Sequence, residues 1–210
     1  MKIRVKVCGM TNFEQVQLLS ELEVDYIGFI FYRKSPRYVN GLFSEDQIKL
    51  IAGMRISRVG VFVDEPMLDL LNIVHKWKLD CVQLHGDETP AYCSEVSKYC
   101  TVVKAFRIGP SDNLEQITNA YKDVGYYLFD TKGEQHGGTG KKFNWEQLLV
   151  PLQRPYFLSG GISIDDVSQI VAFKNRSETM YAVDVNSKFE IKPGFKNIQT
   201  IADFVDQLKK

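Results

Sequence analysis

RVGVFVDEPMLDLLNIVHKWKLDCVQLH, residues 58 to 85, passes through three textures in succession. Val59, Val61 and Val63, with Phe62 among them, make a run dense in β-branched and aromatic side chains, which reads as a strand. Asp64-Glu65-Pro66 breaks that run. A proline lacks an N–H and has a fixed φ, so it suits the first turn of a helix, where N–H groups have no partner anyway. Leu68, Leu71 and Val74 then recur at threes, the spacing of one helix face. Cys81-Val82-Gln83-Leu84-His85 is a second strand run. Two strands joined by a helical crossover lie parallel with a right-handed connection.

The same alternation runs along the rest of the chain. The other strand runs are IRVKVC (3–8), DYIGFIF (25–31), TVVKAF (101–106), GYYLFD (125–130), PYFLSG (155–160) and MYAVDV (180–185), which makes eight. Segments of helical spacing separate them, as at Phe13, Val16, Leu19 and Leu22, and at Ile164, Val167, Ile170 and Val171. Start signals agree. Asn12 suits the cap of the first helix and Asn197 that of the last, and Ser163 with Asp166 resembles a capping box in which Asp replaces the usual Glu. An open doubly wound sheet usually needs fewer strands, whereas a closed (β/α)8 barrel needs eight units and about 200 residues at its lower limit. Eight units in 210 residues, with no linker-like stretch between halves, predict an α/β fold. The expectation is a single eight-stranded parallel (β/α)8 barrel of the TIM type, one domain over residues 1–210.

Composition excludes several classes. Lys+Arg and Asp+Glu both number 26, and a formal net charge of zero argues against a nucleic-acid coat or a polybasic membrane binder. No apolar run reaches the ~18 residues of a membrane span. The N-terminus MKIRVKVC enters a strand pattern directly, without a signal-peptide core, so the cytoplasm is the expected compartment. The four cysteines, Cys8, Cys81, Cys93 and Cys100, are scattered without a CxxC pair; neither a disulfide framework nor a structural zinc is expected.

In a (β/α)8 barrel the site lies at the C-terminal ends of the strands. Standing there are Cys8, the stretch Arg33 to Arg37, Asp64, His85-Gly86-Asp87, Arg107, Asp130, Gly160-Gly161 and Asp184-Val185-Asn186-Ser187. The opposite loops, such as Glu23-Val24 and Lys78-Leu79, carry little of this chemistry.

Three groupings stand out. LSGGIS (158–163) puts two glycines between a strand and a helix, where backbone N–H groups and the positive end of the helix dipole can meet a phosphate. The plain alternative is a tight turn; the place after strand 7, with Asp184, Asn186 and Ser187 after strand 8, favours phosphate. A second glycine loop, GGTG (137–140), flanked by Lys132 and Lys141-Lys142, reads equally as a mobile lid or a surface loop. Asp130 closes the apolar run YYLFD, where desolvation would raise its pKa as a general acid needs. Cys8 holds the matching place on strand 1, and a thiol can remove a proton if cations or N–H groups stabilise its thiolate. Taken singly, Asp130 also reads as a cap or salt-bridge partner, and Cys8 as a small packed hydrophobe. Arg37, in SPRYV (35–39), follows a stiffening proline, and its guanidinium fork suits a carboxylate. The alternative is a surface arginine beside Arg33 and Lys34. Of His75, His85 and His136 only His85 stands at a strand end, to line a pocket or cap a helix; no set of metal ligands converges, and no metal is expected.

KVCGMT, GFIFYRKSPRYV, VGVFVDE, VQLHGDE, LFDTK with GGTGKKFNW, LSGGI and AVDVNSKFE…KPGFKN, taken together and in order from residue 3 to about residue 200, resemble the phosphoribosylanthranilate isomerases. The resemblance implies the third step of tryptophan synthesis, by an intramolecular-oxidoreductase type of isomerase. That step is the Amadori rearrangement of N-(5-phosphoribosyl)anthranilate to 1-(2-carboxyphenylamino)-1-deoxyribulose 5-phosphate, with no metal or organic cofactor. It further implies Cys8 as general base, Asp130 as general acid, Arg37 on the anthranilate carboxylate, and Gly160, Gly161 and the loop after strand 8 on the phosphate. His85 is counted with the substrate-binding set. The implied partner is the small phosphosugar–anthranilate substrate, with no nucleic acid or membrane, for a monomer or homodimer.

The chain departs from the family's usual GVDVSSGVE after strand 8. Ala182 and Lys188 replace glycines and Asn186 replaces a serine. A lysine at a position needing positive φ would be strained, and Lys188 could instead add charge near the phosphate. Other readings are a metal-dependent epimerase, an indole-forming synthase, or a non-catalytic barrel for a phosphorylated ligand.

Overall fold

The computed structural model describes residues 2–131 and 143–209. The GGTG stretch (137–140), with Lys132, His136 and Lys141-Lys142, lies outside the described residues.

Eight strands, β1 (Arg4–Val7), β2 (Tyr26–Ile30), β3 (Ser57–Phe62), β4 (Cys81–Leu84), β5 (Thr101–Ile108), β6 (Tyr126–Thr131), β7 (Tyr156–Leu158) and β8 (Met180–Val185), pair in chain order. Every pairing is parallel, and β8 returns to β1 to close the barrel. The connections carry α1 (Phe13–Glu21), α2 (Glu45–Ala52), α3 (Met67–Trp77), α4 (Pro90–Val96), α5 (Leu114–Thr118) and α6 (Val167–Lys174), and α7 (Ile198–Lys209) follows the last strand. Each strand lies within the run expected for it or extends it by a residue or two.

Local chemistry accounts for the helix starts. The Asn12 side chain accepts the Gln15 N–H at 2.9 Å and the Asn197 side chain accepts the Thr200 N–H at 3.1 Å. The Asp166 carboxylate takes the Ser163 N–H at 2.7 Å, but the pair opens a 3₁₀ turn, Ile164–Asp166, that leads into α6. Ser44 and Gln47 form a reciprocal capping box on α2 that the sequence reading missed.

Three features differ from expectation. Between β6 and β7 the described residues hold only a 3₁₀ turn, Trp145–Leu148, capped by Asn144. Pro151 and Pro155, which have no N–H to donate, stand in the stretch to β7 and keep a longer helix from running there. After β8 comes a 3₁₀ turn, Ser187–Phe189, and then an antiparallel hairpin of β9 (Glu190–Lys192) and β10 (Phe195–Lys196). In α3 the stripe facing the barrel is Leu70 and Trp77, whereas Leu68 is 73% exposed. This helix is apolar on several sides, so the spacing of Leu68, Leu71 and Val74 marks its flank. The Trp77 ring settles the choice by packing on Phe29, Phe31 and Phe43 at centroid distances of 5.0, 5.2 and 5.5 Å. Burying such a side chain stabilises by about 1.5–3 kcal/mol.

Because strand side chains alternate, each strand sends one set outward under the helices and one set into the barrel. The outward set joins the helices in the larger apolar core. The inward set is graded. At the N-terminal end it is apolar: Tyr26, Val59, Cys81, Val103, Leu128 and Phe157, with Tyr126 and Tyr181 packed against them. The Tyr26 and Tyr181 hydroxyls hydrogen-bond at 2.8 Å, and the Arg4 guanidinium lies 4.3 Å from the Tyr181 ring centre. One layer higher the interior becomes polar, with Lys6, Gln83 and Asp184 all buried.

Candidate active site

Above that polar layer, at the C-terminal ends of the strands, lies a cavity of about 650 Å³. Cys8, Arg37, His85, Asp130, Gly160, Gly161, Asp184, Asn186 and Ser187 all line it. Residues more than 170 positions apart in sequence meet there because the closed sheet brings β1 beside β8, with Lys6 opposite Asp184 in register.

Cys8 continues β1 by one residue, its N–H donating to the Val185 carbonyl at 2.9 Å. Gly9 then turns the chain at φ 77°, and the N–H groups of Gly9 and Met10 both donate to the Gly28 carbonyl. The thiol is 4% exposed and borders the cavity. Lys6, two residues earlier on the same face, donates to Asp184 Oδ1 at 2.7 Å, and Ser159 Oγ donates to Asp184 Oδ2 at 3.2 Å. Burial pushes the Cys8 thiol above its ordinary value of 9.0; the charges of Lys6 and Lys196 pull it down and that of Asp184 pushes it up, and burial prevails. Cations do gather around the sulfur, but the free protein holds a thiol, because desolvation outweighs them.

Asp130 ends β6. Its Oδ1 accepts the Thr131 N–H at 2.8 Å, and its Oδ2 lies 3.5 Å from His85 Nε2. Gln83, two residues before His85 on the same face of β4, brings its Nε2 to 2.8 Å from His85 Nδ1. An amide nitrogen donates, so Nδ1 accepts and the ring proton sits on Nε2, the atom facing Asp130. Gln83 Oε1 and His85 Nε2 are both buried without a hydrogen-bond partner among the described residues, and both residues line the cavity.

The loop after β7 is bare backbone. Gly160 and Gly161 have φ of 94° and 67°, a region that excludes most side chains. A β-carbon on Gly160 would collide with Thr131 Oγ1 and lie 3.1 Å from Asp130 Oδ1, so this glycine lets the glycine loop approach the end of β6. Beside it, after the neighbouring strand β8, the turn Ser187–Phe189 is a short extra helix of the kind that binds phosphate in such barrels. Lys188 lies in that turn, exposed and outside the cavity lining, and Asp64 and Lys78 are the described non-glycine residues with positive φ. The lysine is therefore unstrained, since the turn has become helical.

Arg37 lines the opposite wall, and Glu190 holds it: Arg37 Nη2 donates to Glu190 Oε2 at 2.6 Å. Several other polar residues at the strand ends do not line the cavity. Asp64 accepts the Asp87 N–H at 2.7 Å and so braces the loop after β4. Arg107 pairs with exposed Asp87 at 3.0 Å, and His75 is exposed on α3. The reading of the sequence missed Lys6, Gln83, Ser159, Glu190 and Lys196. Period-two counting could have found the first three, because they share a strand face with Cys8, His85 and Gly161 respectively. Glu190 and Lys196 meet only through the hairpin.

Comparison with known proteins follows the same lines. The sequence profile of the family described as N-(5'phosphoribosyl)anthranilate (PRA) isomerase matches residues 5–207. A Parabacteroides distasonis protein named N-(5'-phosphoribosyl)anthranilate isomerase is 35% identical over 206 residues, 97% of this chain and 92% of that one. Phosphoribosyl anthranilate isomerase from Thermotoga maritima superposes with a TM-score of 0.84 at 34% identity, covering 99% of this chain and 98% of that one. A phosphoribosyl anthranilate isomerase in complex with reduced 1-(o-carboxyphenylamino)-1-deoxyribulose 5-phosphate gives a TM-score of 0.78 at 30% identity, with 99% of this chain and 98% of that one covered.

Proposed function

The chain belongs to the N-(5'-phosphoribosyl)anthranilate isomerase family, and we propose that Cys8 is its general base and Asp130 its general acid. It catalyses the Amadori rearrangement of N-(5-phosphoribosyl)anthranilate to 1-(2-carboxyphenylamino)-1-deoxyribulose 5-phosphate, the third step of tryptophan synthesis. The observation that carries the assignment of roles is that one cavity is lined by the thiol, the carboxyl group, Arg37 and the glycine pair.

In this reading the N–H groups of Gly160 and Gly161, with Ser187 beside them after the neighbouring strand, hold the phosphate. Arg37 meets the carboxylate on the aromatic ring. Asn186 presents its amide nitrogen to the ligand, its Oδ1 being bonded to Lys196 at 2.7 Å. Asp130 gives its proton to the ribose ring oxygen. The bond from that oxygen to C1 breaks, the oxygen becomes the C4 hydroxyl, and the nitrogen lone pair forms a protonated Schiff base. Cys8 then takes the proton from C2, the electrons of that C–H bond flow toward the nitrogen, and the enolamine that results gains a proton at C1 as its C2 hydroxyl becomes the ketone.

The raised thiol fits this order. Ring opening creates a positive charge next to C2, and a nearby positive charge favours the thiolate, so the thiol releases its own proton to solvent before the thiolate takes the proton from C2. The carboxylate left on Asp130 has His85 Nε2 3.5 Å from its Oδ2, within reach of a small shift on ligand binding. Lys6 and Asp184 form the polar floor beneath the sugar.

The protein acts without a metal or organic cofactor, as a monomer or homodimer in the cytoplasm, from one domain over residues 1–210. Among the described residues, no helix is long and apolar enough to cross a membrane. The test is an assay with freshly generated phosphoribosylanthranilate, following loss of its fluorescence. Cys8→Ser and Asp130→Asn should each lower kcat by about 10²–10⁴-fold with unchanged circular dichroism. Near wild-type turnover in either variant removes that residue from the mechanism. Arg37→Ala should mainly raise KM. Activity lost to a chelator and restored by metal would favour an epimerase instead.

A further inference from the structure

Arg37 has a bond pattern that the reaction steps leave unused. Its Nε lies 2.9 and 3.1 Å from the two oxygens of Glu190, and its Nη2 lies 2.6 Å from Oε2. Glu190 is saturated: its Oε1 also accepts Lys196 Nζ at 2.7 Å and the Gly194 N–H at 3.0 Å. The Glu190 side chain is 4% exposed and that of Lys196 is 0% exposed. On its other side Arg37 is closed in by Gly9, where a β-carbon would lie 2.6 Å from Arg37 Cδ and 2.9 Å from Asn186 Oδ1.

We infer that Glu190 is a positioning residue for substrate binding: it grips the Nε–Nη2 edge of Arg37 and so presents the Nη1 end of the guanidinium to the carboxylate of the substrate. The inference rests on the reading of Arg37 as the carboxylate site.

A guanidinium has five N–H donors in a rigid plane. Glu190 occupies one edge. Nη1 has no protein partner among the described residues, and Arg37 lines the cavity, so this end is what remains for a ligand. Charge decides the part played by Lys196. Arg37 with Glu190 alone would be neutral overall and would offer little attraction to an anion; Lys196, whose pKa burial pulls below its ordinary value against the support of the Glu190 charge, restores a net charge of +1 to the trio in its protonated form. Burial pushes the Glu190 carboxyl up, but the hydrogen bonds from Arg37 and the charge of Lys196 outweigh it and leave it below the ordinary range. A glutamate held below the ordinary carboxyl range is ionised at neutral pH and keeps its grip on Arg37 there. An exposed arginine with free torsions would lose side-chain entropy on meeting each substrate, and prior immobilisation removes that loss.

The experiment compares two ligands by calorimetry: the reduced product analogue, 1-(2-carboxyphenylamino)-1-deoxyribitol 5-phosphate, and its phenylamino counterpart without the carboxylate. Glu190→Gln should weaken the carboxylated ligand by about tenfold to a hundredfold and leave the other within twofold. In the assay KM should rise by a similar factor while kcat falls less. Glu190→Gln strands two buried cations, so Glu190→Gln/Lys196→Met, which removes both charges, is made beside it. That double variant should recover thermal stability and keep the selective loss. Equal weakening of both ligands, or of neither, in whichever of these variants folds overturns the inference. Arg37→Ala is the separate control. If it fails to distinguish the two ligands, the carboxylate role of Arg37 falls; if it distinguishes them and Glu190→Gln does not, the positioning role alone falls.

Discussion

Gly28 on β2 and Cys8 after β1 are in contact so close that a β-carbon on Gly28 would lie 2.7 Å from the Cys8 sulfur and 3.1 Å from its α-carbon. The same glycine's carbonyl accepts the N–H groups of Gly9 and Met10 at 2.9 and 3.0 Å. Gly28 thus sets both the space around the thiol and the turn that follows it. Gly28→Ala should force the sulfur out of place and destabilise by about 1–3 kcal/mol through overpacking. Turnover should fall at least tenfold with little change in KM, measured by steady-state kinetics beside thermal melting. A variant as active and as stable as wild type would show slack that the packing denies.

The thiol of Cys8 should ionise late. Its alkylation by iodoacetamide, with Cys8→Ser as background, should keep accelerating to a pH above 9.0, since burial holds the proton on sulfur. The other thiols are raised too, with Cys81 pushed up to about 12 and Cys93 and Cys100 to about 11, chiefly by burial. For stability the sign follows from linkage. An acid whose pKa is higher folded than unfolded binds more protons in the folded state, so stability is lost as pH rises above the unfolded value. Alkaline unfolding should therefore set in later for Cys8→Ser. An alkylation profile that levels off below pH 8 would contradict the electrostatics.

Gly160→Ala should damage both ends of the reaction. The residue stands at φ 94°, which strains an alanine by about 1–3 kcal/mol, and the added methyl meets Thr131 and the Asp130 carboxyl. KM should rise through the phosphate and kcat should fall through the acid. That joint loss differs from Arg37→Ala, where KM carries most of the effect, and a change in KM alone would count against the contact with Asp130.

Lys104 and Glu88 form a buried pair outside the barrel wall. Lys104 Nζ reaches Glu88 Oε2 at 2.8 Å and the Leu84 and Gly86 carbonyls at 3.2 and 2.7 Å. Glu88 accepts the N–H groups of Asp64 and Gly86 and so braces the loop that carries His85. Lys104→Met leaves a buried carboxylate without its cation and should destabilise by about 3–5 kcal/mol in urea unfolding. Lys104→Met/Glu88→Gln should regain part of that loss. A single variant within 1 kcal/mol of wild type would mean that water reaches the pair.

The barrel was legible because its signal is local. Each strand announces itself in four to eight consecutive residues, and eight of them in 210 residues leave little choice of topology. The acid, the base and the glycine pair were legible for a related reason, since each sits where its own strand ends. What stayed hidden depends on distant partners. Lys6 reads as an ordinary charge until β8 closes against β1 and supplies Asp184, 178 residues away. Glu190 reads as a solvated carboxylate until Arg37, 153 residues earlier, lies against it. The pKa of Cys8 depends on the balance of burial with three neighbouring charges, and no spacing rule expresses that balance. The surplus apolar residues of α3 hid which of its faces is buried until Trp77 found its aromatic partners.

Tyr26, Tyr126, Tyr181 and Phe157 plug the lower end of the barrel, with Arg4 laid across one ring. Among the described residues the reaction chamber is therefore closed from below and opens at the upper rim. Whatever has just been made must back out along the route by which the next molecule arrives, so traffic through the enzyme is one at a time, and accumulated product obstructs entry in direct competition with fresh substrate.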